Sequence, residues 1–148
     1  MYRYVLALLF TADRQRVVLV EKTRPAWQAG RINALGGKVR EDESIDRAAR
    51  REVREEAGVD VAEWEQVLVW RDAQYTMHVM RAFDDAALRA VTAEDQRVFL
   101  ADVDRLPATA IDNLRWLVPL ALDRDVALPI EVRSAAPEGS GLTEPPPA

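Results

Sequence analysis

Three glutamates at positions 52, 55 and 56 have the chemistry and spacing to bind a cation together. Their segment runs from Ser44, a favourable N-cap, to Gly58, a favourable C-terminal stop, with no glycine or proline between, so it is predicted to be a helix. At about 100° per residue, Glu52, Glu55 and Glu56 fall within an arc of ~100° that overlaps the apolar face. Carboxylates there repel one another and resist desolvation, so we expect a cation to neutralise them.

The expected cation is Mg²⁺, with Mn²⁺ as the alternative. Carboxylate oxygens suit these hard ions, and a chain with no Cys and one His cannot build the nitrogen and sulfur shell typical of zinc. The competing interpretation is an acidic helix edge that is simply solvated. The upstream Gly36 and Gly37 argue against it, because they allow the backbone to approach a metal and phosphates more closely than a Cβ would permit.

The stretch from residue 37 to residue 59, GKVREDESIDRAARREVREEAGV, resembles the Nudix box, G-x5-E-x7-R-E-U-x-E-E-x-G-U with U aliphatic. All nine specified positions match: Gly37, Glu43, Arg51, Glu52, Val53, Glu55, Glu56, Gly58 and Val59. Nine fixed positions are far more specific than a single glycine motif. The resemblance implies the Nudix fold, an α/β (α+β) domain with a mixed β-sheet sandwiched between helices. It also implies a Mg²⁺-dependent hydrolase of a nucleoside diphosphate linked to another group.

The resemblance assigns the metal site residue by residue. It implies Glu52, Glu55 and Glu56 as metal ligands, with the backbone of Gly37 beside them. The general base is expected to be Glu52, Glu56 or an acid outside the box such as Asp95. Asp95, with Glu94 as the less favoured alternative, is also a candidate for an extra metal ligand. Solvated surface acid is the alternative for Asp95, and the sequence does not decide among these assignments.

Other positions of the resemblance imply support for the site and contact with the substrate. Glu43 and Arg51 are expected to pair and to hold the loop against the helix, and Lys38 to reach a phosphate oxygen. Outside the box, scattered positions look like the subgroup that removes oxidised purine nucleoside triphosphates. In that subgroup an aromatic residue stacks on the base and an Asn contacts its edge, positions that Trp27 and Asn33 match.

The second half of the base site matches less well. The subgroup has two adjacent acids late in the chain that read the purine. Asp112 matches the first, whereas Asn113 replaces the second, and the preceding residues 108 to 111 lack a second stacking aromatic. We therefore expect these two residues to bind substrate with weakened discrimination among purines.

The leading functional hypothesis is an enzyme that converts a nucleoside triphosphate, including an oxidised purine, to its monophosphate and pyrophosphate. Within the family, the alternatives are hydrolysis of ADP-ribose, a nucleotide sugar, a dinucleoside polyphosphate or a capped RNA end. From another class, a non-catalytic Nudix-like protein that senses a nucleotide is the alternative. The intact carboxylates of the box argue against it.

Composition sets outer limits on partners and location. The 148 residues carry a formal net charge of −5, which argues against duplex nucleic acid as a partner because a basic stripe would be needed to neutralise phosphates. The apolar run at residues 5 to 10 is too short to span a membrane. We therefore expect a cytoplasmic protein with a small-molecule nucleotide substrate, no membrane partner, and a monomeric or homodimeric state.

The elements that must position these residues follow from the apolar pattern. Besides the helix over residues 44 to 57, a second helix is predicted over residues 112 to 122, with Pro119 inside it. Strands are predicted over residues 2 to 11, 16 to 22, 64 to 72, 74 to 83 and 97 to 102, the first two forming a hairpin. Residues 23 to 35 are predicted to be a loop. One Nudix hydrolase domain is expected over residues 1 to 133, followed by a disordered tail rich in Pro, Gly and Ser over residues 134 to 148.

Overall fold

The computed structural model describes residues 1–134, which form one mixed β-sheet with a helix on each face. The strands are β1 (Tyr2–Phe10), β2 (Arg16–Glu21), β3 (Ile32–Lys38), β4 (Glu65–Arg71), β5 (Tyr75–Phe83), β6 (Val98–Asp102) and β7 (Ile130–Arg133). The helices are α1 (Ile45–Ala57) and α2 (Leu114–Leu122), and short 3-10 turns occupy Ala26–Gln28 and Asp85–Arg89. The strand order is β6-β2-β3-β1-β5-β4-β7. The β1–β5 and β4–β7 pairs are parallel and the others antiparallel, which confirms the predicted α+β class and mixed sheet.

Helix α1 begins and ends where its sequence signals predict. The Ser44 hydroxyl accepts a hydrogen bond from the Arg47 backbone N–H at 3.2 Å. At the other end, Gly58 has φ 70°, a left-handed conformation that glycine adopts without strain, and its N–H donates to the Arg54 carbonyl. The helix is therefore held at both ends, and its acidic residues keep a fixed register against the sheet.

The two faces of the sheet each carry a core. One core joins Val53 and neighbouring alanines of α1 to Val5 and Leu35 in the centre of the sheet. The other joins Leu114 and Leu117 of α2 to the opposite face. Each buried Val or Leu side chain contributes about 1.5–3 kcal/mol relative to exposure, so both helices are held mainly by apolar packing.

The prediction of a loop over residues 23 to 35 is wrong at its end, because β3 begins at Ile32 and runs through both glycines. Glycine weakens the strand signal in sequence, but β3 pairs with β1 on one side and with β2 on the other. The expected hairpin is also only partly right, since β3 inserts between β1 and β2 and leaves one direct pair, Phe10 with Val17.

The C-terminal part of the chain differs from the sequence-based prediction in its helix and in its last strand. The second helix is present, but it begins at Leu114 rather than at residue 112, and Pro119 lies inside it. Strand β7 was not predicted, although it adds to the sheet edge beside β4. The predicted tail lies, apart from Ser134, outside the described residues.

Within residues 1–134, no helix is long and apolar enough to cross a membrane.

Candidate active site

A cavity of about 870 Å³ opens where β1 and β3 meet the acidic side of α1. Its wall combines strand residues, the segment after β2, the segment before β6 and two glutamates of α1. The lining residues are Met1, Tyr2, Arg3, Tyr4, Val5, Leu6, Lys22, Arg24, Pro25, Gln28, Asn33, Ala34, Gly36, Gly37, Lys38, Val39, Arg40, Glu41, Glu52, Glu56, Met77, Glu94 and Gln96. Its size falls within the range of small-ligand sites, ~300–1,000 Å³.

Glu56 is the most deeply placed acid of this cavity, with 6% of its surface exposed. Its Oε1 accepts a hydrogen bond from the Gly36 backbone N–H at 2.9 Å. Burial nevertheless raises the pKa of Glu56 to about 8, well above the ordinary value of 4.5, and the nearby Glu52 charge adds to this rise. At neutral pH and without a cation, Glu56 therefore holds a proton.

Glu52 lies one helical turn before Glu56, and the two carboxyl groups are close enough that each changes the pKa of the other. Burial raises the pKa of Glu52 as well, and Arg51, whose Nη1 donates to Glu52 Oε1 at 3.0 Å, opposes the rise. Two close carboxyl groups that share a proton can both ionise once a cation lies between them. The pair therefore has the electrostatics of a cation-binding site.

Two consecutive glycines make room for this pair. A Cβ on Gly37 would lie 2.5 Å from Glu52 Oε1, and a Cβ on Gly36 would overlap the Val5 carbonyl oxygen. Gly36 also has φ 149°, which other residues rarely adopt. The backbone of β3 can thus pass directly against the acids of α1, and the expected close approach of these glycines to a metal and phosphates stays a prediction.

Glu43 and Arg51 form the pair that the sequence predicts. Arg51 Nε donates to Glu43 Oε2 at 2.6 Å and Nη2 donates to Oε1 at 2.9 Å, while Nη2 also donates to the Lys38 carbonyl at 3.1 Å. The Arg51 hydrogen bonds hold the pKa of Glu43 below its usual value. This bidentate pair joins α1 to the segment that follows β3.

Glu55 is placed differently from the other two acids of the predicted triad. It is half-exposed, accepts a hydrogen bond from Arg51 Nη1 at 3.2 Å and lies 3.7 Å from Arg40 Nη2. In the described part of the chain, no three acidic or histidine side chains already converge as a metal shell. The structure thus brings Glu52 and Glu56 together and leaves Glu55 in ion pairs at the edge.

The donor set fits a hard divalent cation. Burial raises the pKa values of both Glu52 and Glu56 by more than the nearby cations lower them, Arg51 in the case of Glu52 and Lys22 in that of Glu56, so both sites still favour an added positive charge. Both are oxygen donors, and the absence of a side chain on Gly37 leaves open backbone next to them. The assignment of particular ligands stays a prediction.

Two of the predicted substrate-binding residues line the cavity. Asn33 is one, and its Nδ2 donates to Gln28 Oε1 at 3.2 Å. Lys38 is the other, with its ammonium 4.5 Å above the centre of the Tyr2 ring. A cation at this position is available to a phosphate group in the cavity.

The other predicted contacts lie outside the cavity lining. Trp27 is 55% exposed on the turn beside the cavity, and the Asp112 side chain is 97% exposed and pairs with Arg31 at 3.1 Å. Asn113 caps α2 without a side-chain bond, and its Oδ1 is buried with no hydrogen-bond partner within residues 1–134. Asp95 pairs with Arg24 at 2.7 Å, which lowers its pKa.

Sequence reasoning missed several residues of the cavity wall. Gln28 and Gln96 are buried polar side chains there, and Gln96 Oε1 accepts from the Thr23 backbone N–H at 2.8 Å. Lys22 also lines the wall, and its position directly after a strand does not by itself indicate a site. Glu94, which the sequence offers as the less favoured alternative to Asp95, lines the wall as well, whereas Asp95 does not.

Comparison with known proteins places the chain among characterised relatives. A family model described as NUDIX domain matches residues 1–131. The oxidized purine nucleoside triphosphate hydrolase of Danio rerio is 30% identical over 128 residues, covering 81% of this chain and 80% of the relative. The protein of the same name from Mus musculus is 32% identical over 125 residues, covering 79% and 78%.

A solved structure supports the fold independently. The MutT NUDIX hydrolase from Burkholderia pseudomallei superposes with a TM-score of 0.68 at 23% sequence identity, covering 80% of this chain and 96% of that one. A second solved structure comes from a structure and function analysis of MutT from Aliivibrio salmonicida and Vibrio cholerae. It superposes with a TM-score of 0.64, also at 23% sequence identity, and the match covers 82% of this chain and 97% of that one. At this identity the likeness concerns the architecture of sheet and helices.

Proposed function

The chain belongs to the Nudix family, and from this premise we propose that it is a pyrophosphohydrolase that converts a nucleoside triphosphate to its monophosphate and pyrophosphate. The observation that carries the proposal is the pair of carboxyl groups of Glu52, which is partly buried, and Glu56, which is buried, facing an 870 Å³ cavity beside open backbone at Gly37. A deoxynucleotide fits a cavity of this size.

The class of substrate is inferred from the relatives and the cavity together. Two relatives at 30% and 32% identity are named as hydrolases of oxidised purine nucleoside triphosphates. The cavity also offers polar groups for a base, Gln28 and Asn33, and cations for phosphates, Lys22, Arg24 and Lys38. We therefore propose purine nucleoside triphosphates, oxidised ones included, as the substrates.

Mg²⁺ is the proposed cofactor, held by Glu52 and Glu56 with Glu55 at the edge. When bound, it would polarise the attacking water and screen the phosphate charge. Arg51 then has a positioning role: through Glu52 and Glu43 it holds the acids in their register on α1.

One of the two acids Glu52 and Glu56 is proposed to act as the general base. Ionised Glu56 or Glu52 accepts a proton from water as the water oxygen bonds to phosphorus, and the bridging bond between the α- and β-phosphoryl groups breaks. Pyrophosphate leaves with the electron pair of that bond.

A nucleotide panel with Mg²⁺ tests the proposal. It contains an oxidised dGTP, dGTP, dATP and dCTP, with ADP-ribose, a nucleotide sugar, a dinucleoside polyphosphate and a capped RNA for the alternatives. We expect the triphosphates to give monophosphate and pyrophosphate, with no orthophosphate before added pyrophosphatase. Release of orthophosphate, or cleavage confined to the other compounds, would overturn it.

A further inference from the structure

Gln28 occupies an unusual place for a polar side chain. It ends the 3-10 turn Ala26–Gln28 next to the cavity, and 6% of its surface is exposed. It lies against the cavity together with Asn33. A nearly buried amide group needs partners for both its oxygen and its nitrogen.

The orientation of this amide group is fixed by a chain of hydrogen bonds. The Ala34 backbone N–H donates to Asn33 at 2.8 Å, so the accepting atom is the Asn33 oxygen, Oδ1. Asn33 Nδ2 therefore points to Gln28 and donates to its Oε1 at 3.2 Å. Because the oxygen of Gln28 is used in this way, its remaining terminal group is the NH2 of Nε2.

The N–H donors of that NH2 group have no acceptor among the described residues. Within residues 1–134, Gln28 Nε2 donates to no oxygen, and it is not among the buried polar atoms sealed off without a partner. Its accessible side is the cavity, which Gln28 lines. The cavity thus contains a pre-oriented hydrogen-bond donor whose direction is set by the backbone of β3.

We propose that Gln28 Nε2 selects a nucleobase that carries an exocyclic carbonyl over one that carries an exocyclic amino group. The inference rests on the proposed function, which supplies the nucleotide, and extends it to the base edge. A carbonyl oxygen accepts from the NH2 group, whereas an amino group facing it leaves two donors opposed and unpaired. A site built to make such a bond discriminates against a base that cannot complete it.

The test compares dITP with dATP, because their bases differ at position 6 by a carbonyl against an amino group. The wild-type chain should have a higher kcat/KM for dITP. Gln28→Glu keeps an oxygen for Asn33 Nδ2 and replaces the NH2 group by an acceptor. We expect this variant to lower the ratio of dITP to dATP efficiency by roughly 10- to 100-fold.

A second variant changes the orientation of the Gln28 amide without substituting Gln28 itself. Asn33→Asp still accepts from the Ala34 N–H but no longer donates to Gln28, so the Gln28 amide should turn its NH2 toward Asp and present its oxygen to the cavity. The ratio of dITP to dATP efficiency should therefore fall in this variant, as it should in Gln28→Glu. Gln96→Glu is the charge-matched control in the same wall, because it retains the oxygen that accepts from Thr23.

The ratio of dissociation constants for dITP and dATP, measured by calorimetry, separates this inference from the proposed function. Stronger binding of dITP with no cleavage would contradict the proposed function and support the donor role of Gln28. Cleavage with a ratio that moves equally in Gln28→Glu and Gln96→Glu would overturn the inference alone. An unchanged ratio of dITP to dATP efficiency in Gln28→Glu would overturn it too, and melting curves identify any variant that fails to fold.

Discussion

Arg51 holds both carboxylate oxygens of Glu43, with Nε 2.6 Å from Oε2 and Nη2 2.9 Å from Oε1. The two side chains are 16% and 11% exposed, so water screens them little. Arg51 adds a bond to the Lys38 carbonyl, which ends β3. One guanidinium thus joins α1, the segment before it and the strand that carries the glycines.

Arg51→Lys should destabilise the fold although it keeps the charge. An ammonium group cannot reproduce the planar two-pronged bond, and the half-satisfied Glu43 carboxylate would stay partly buried. We expect a loss of about 1–3 kcal/mol in the free energy of unfolding, measured by urea denaturation. The matched control is Arg54→Lys, whose pair with Asp60 is half-exposed and should change stability by less than about 1 kcal/mol. Equal losses in the two variants would contradict the special role of Arg51.

Alanine at the two glycines should have separable effects. At Gly37 the new Cβ meets the Glu52 carboxylate, the mobile end of a side chain, which can move aside. We expect kcat to fall roughly tenfold or more, because the Glu52 carboxylate would be displaced from its place in the site. The melting temperature should stay within about 3 °C of the wild-type value. At Gly36 the Cβ meets the Val5 backbone and φ is 149°, so the melting temperature itself should fall. Paired melting curves and turnover assays make the comparison, and full activity in Gly37→Ala would show that the Glu52 position does not matter.

The parts of the site that the sequence predicts are those whose geometry is local. Cap residues and helical periodicity determine the register of α1, so the facing positions of Glu52 and Glu56 follow from spacing. The same holds for Glu43 and Arg51, whose side chains meet because the helix starts at Ser44. For these four residues, the sequence of residues 43 to 58 is sufficient to predict which side chains lie together.

The parts that the sequence does not predict depend on distant segments. Strand β3 is stabilised by two neighbouring strands, which its glycine-rich sequence does not indicate. Trp27 is exposed and outside the cavity lining, and Asp112 pairs with Arg31, because turn geometry and a neighbouring charge decide where such side chains lie. Gln28 gives no sequence signal, since its orientation depends on Asn33 and the backbone after it.

The pKa of Glu56 predicts how stability depends on pH in the absence of divalent cations. The folded chain holds a proton on Glu56 up to about pH 8, whereas the unfolded chain releases it near the ordinary value of 4.5. Between these values the folded state binds more protons, so the free energy of unfolding should fall as pH rises from about 4.5 to about 8. Thermal melts of wild type and Glu56→Gln in EDTA check this.

The variant should differ from wild type only where the unfolded Glu56 is ionised. At pH 4 the two melting temperatures should be close, whereas at pH 8 the variant should be more stable, by roughly 5 °C or more. Added Mg²⁺ should raise the wild-type melting temperature at pH 8 more than that of the variant, since the ion binds the ionised pair. A wild-type advantage that grows from pH 4 to pH 8 in EDTA would refute the raised pKa.

The role of Glu56 in hydrolysis is tested most directly by measuring pyrophosphate release from one nucleoside triphosphate at saturating Mg²⁺. The chains compared are wild type, Glu56→Gln and Glu55→Gln. Glu56→Gln should lose about 10²–10⁴-fold in kcat with an unchanged circular dichroism spectrum, because it removes charge from the cation site or removes the base. Glu55→Gln should lose less, since Glu55 lies in ion pairs at the edge. Near-wild-type pyrophosphate release by Glu56→Gln would contradict the account.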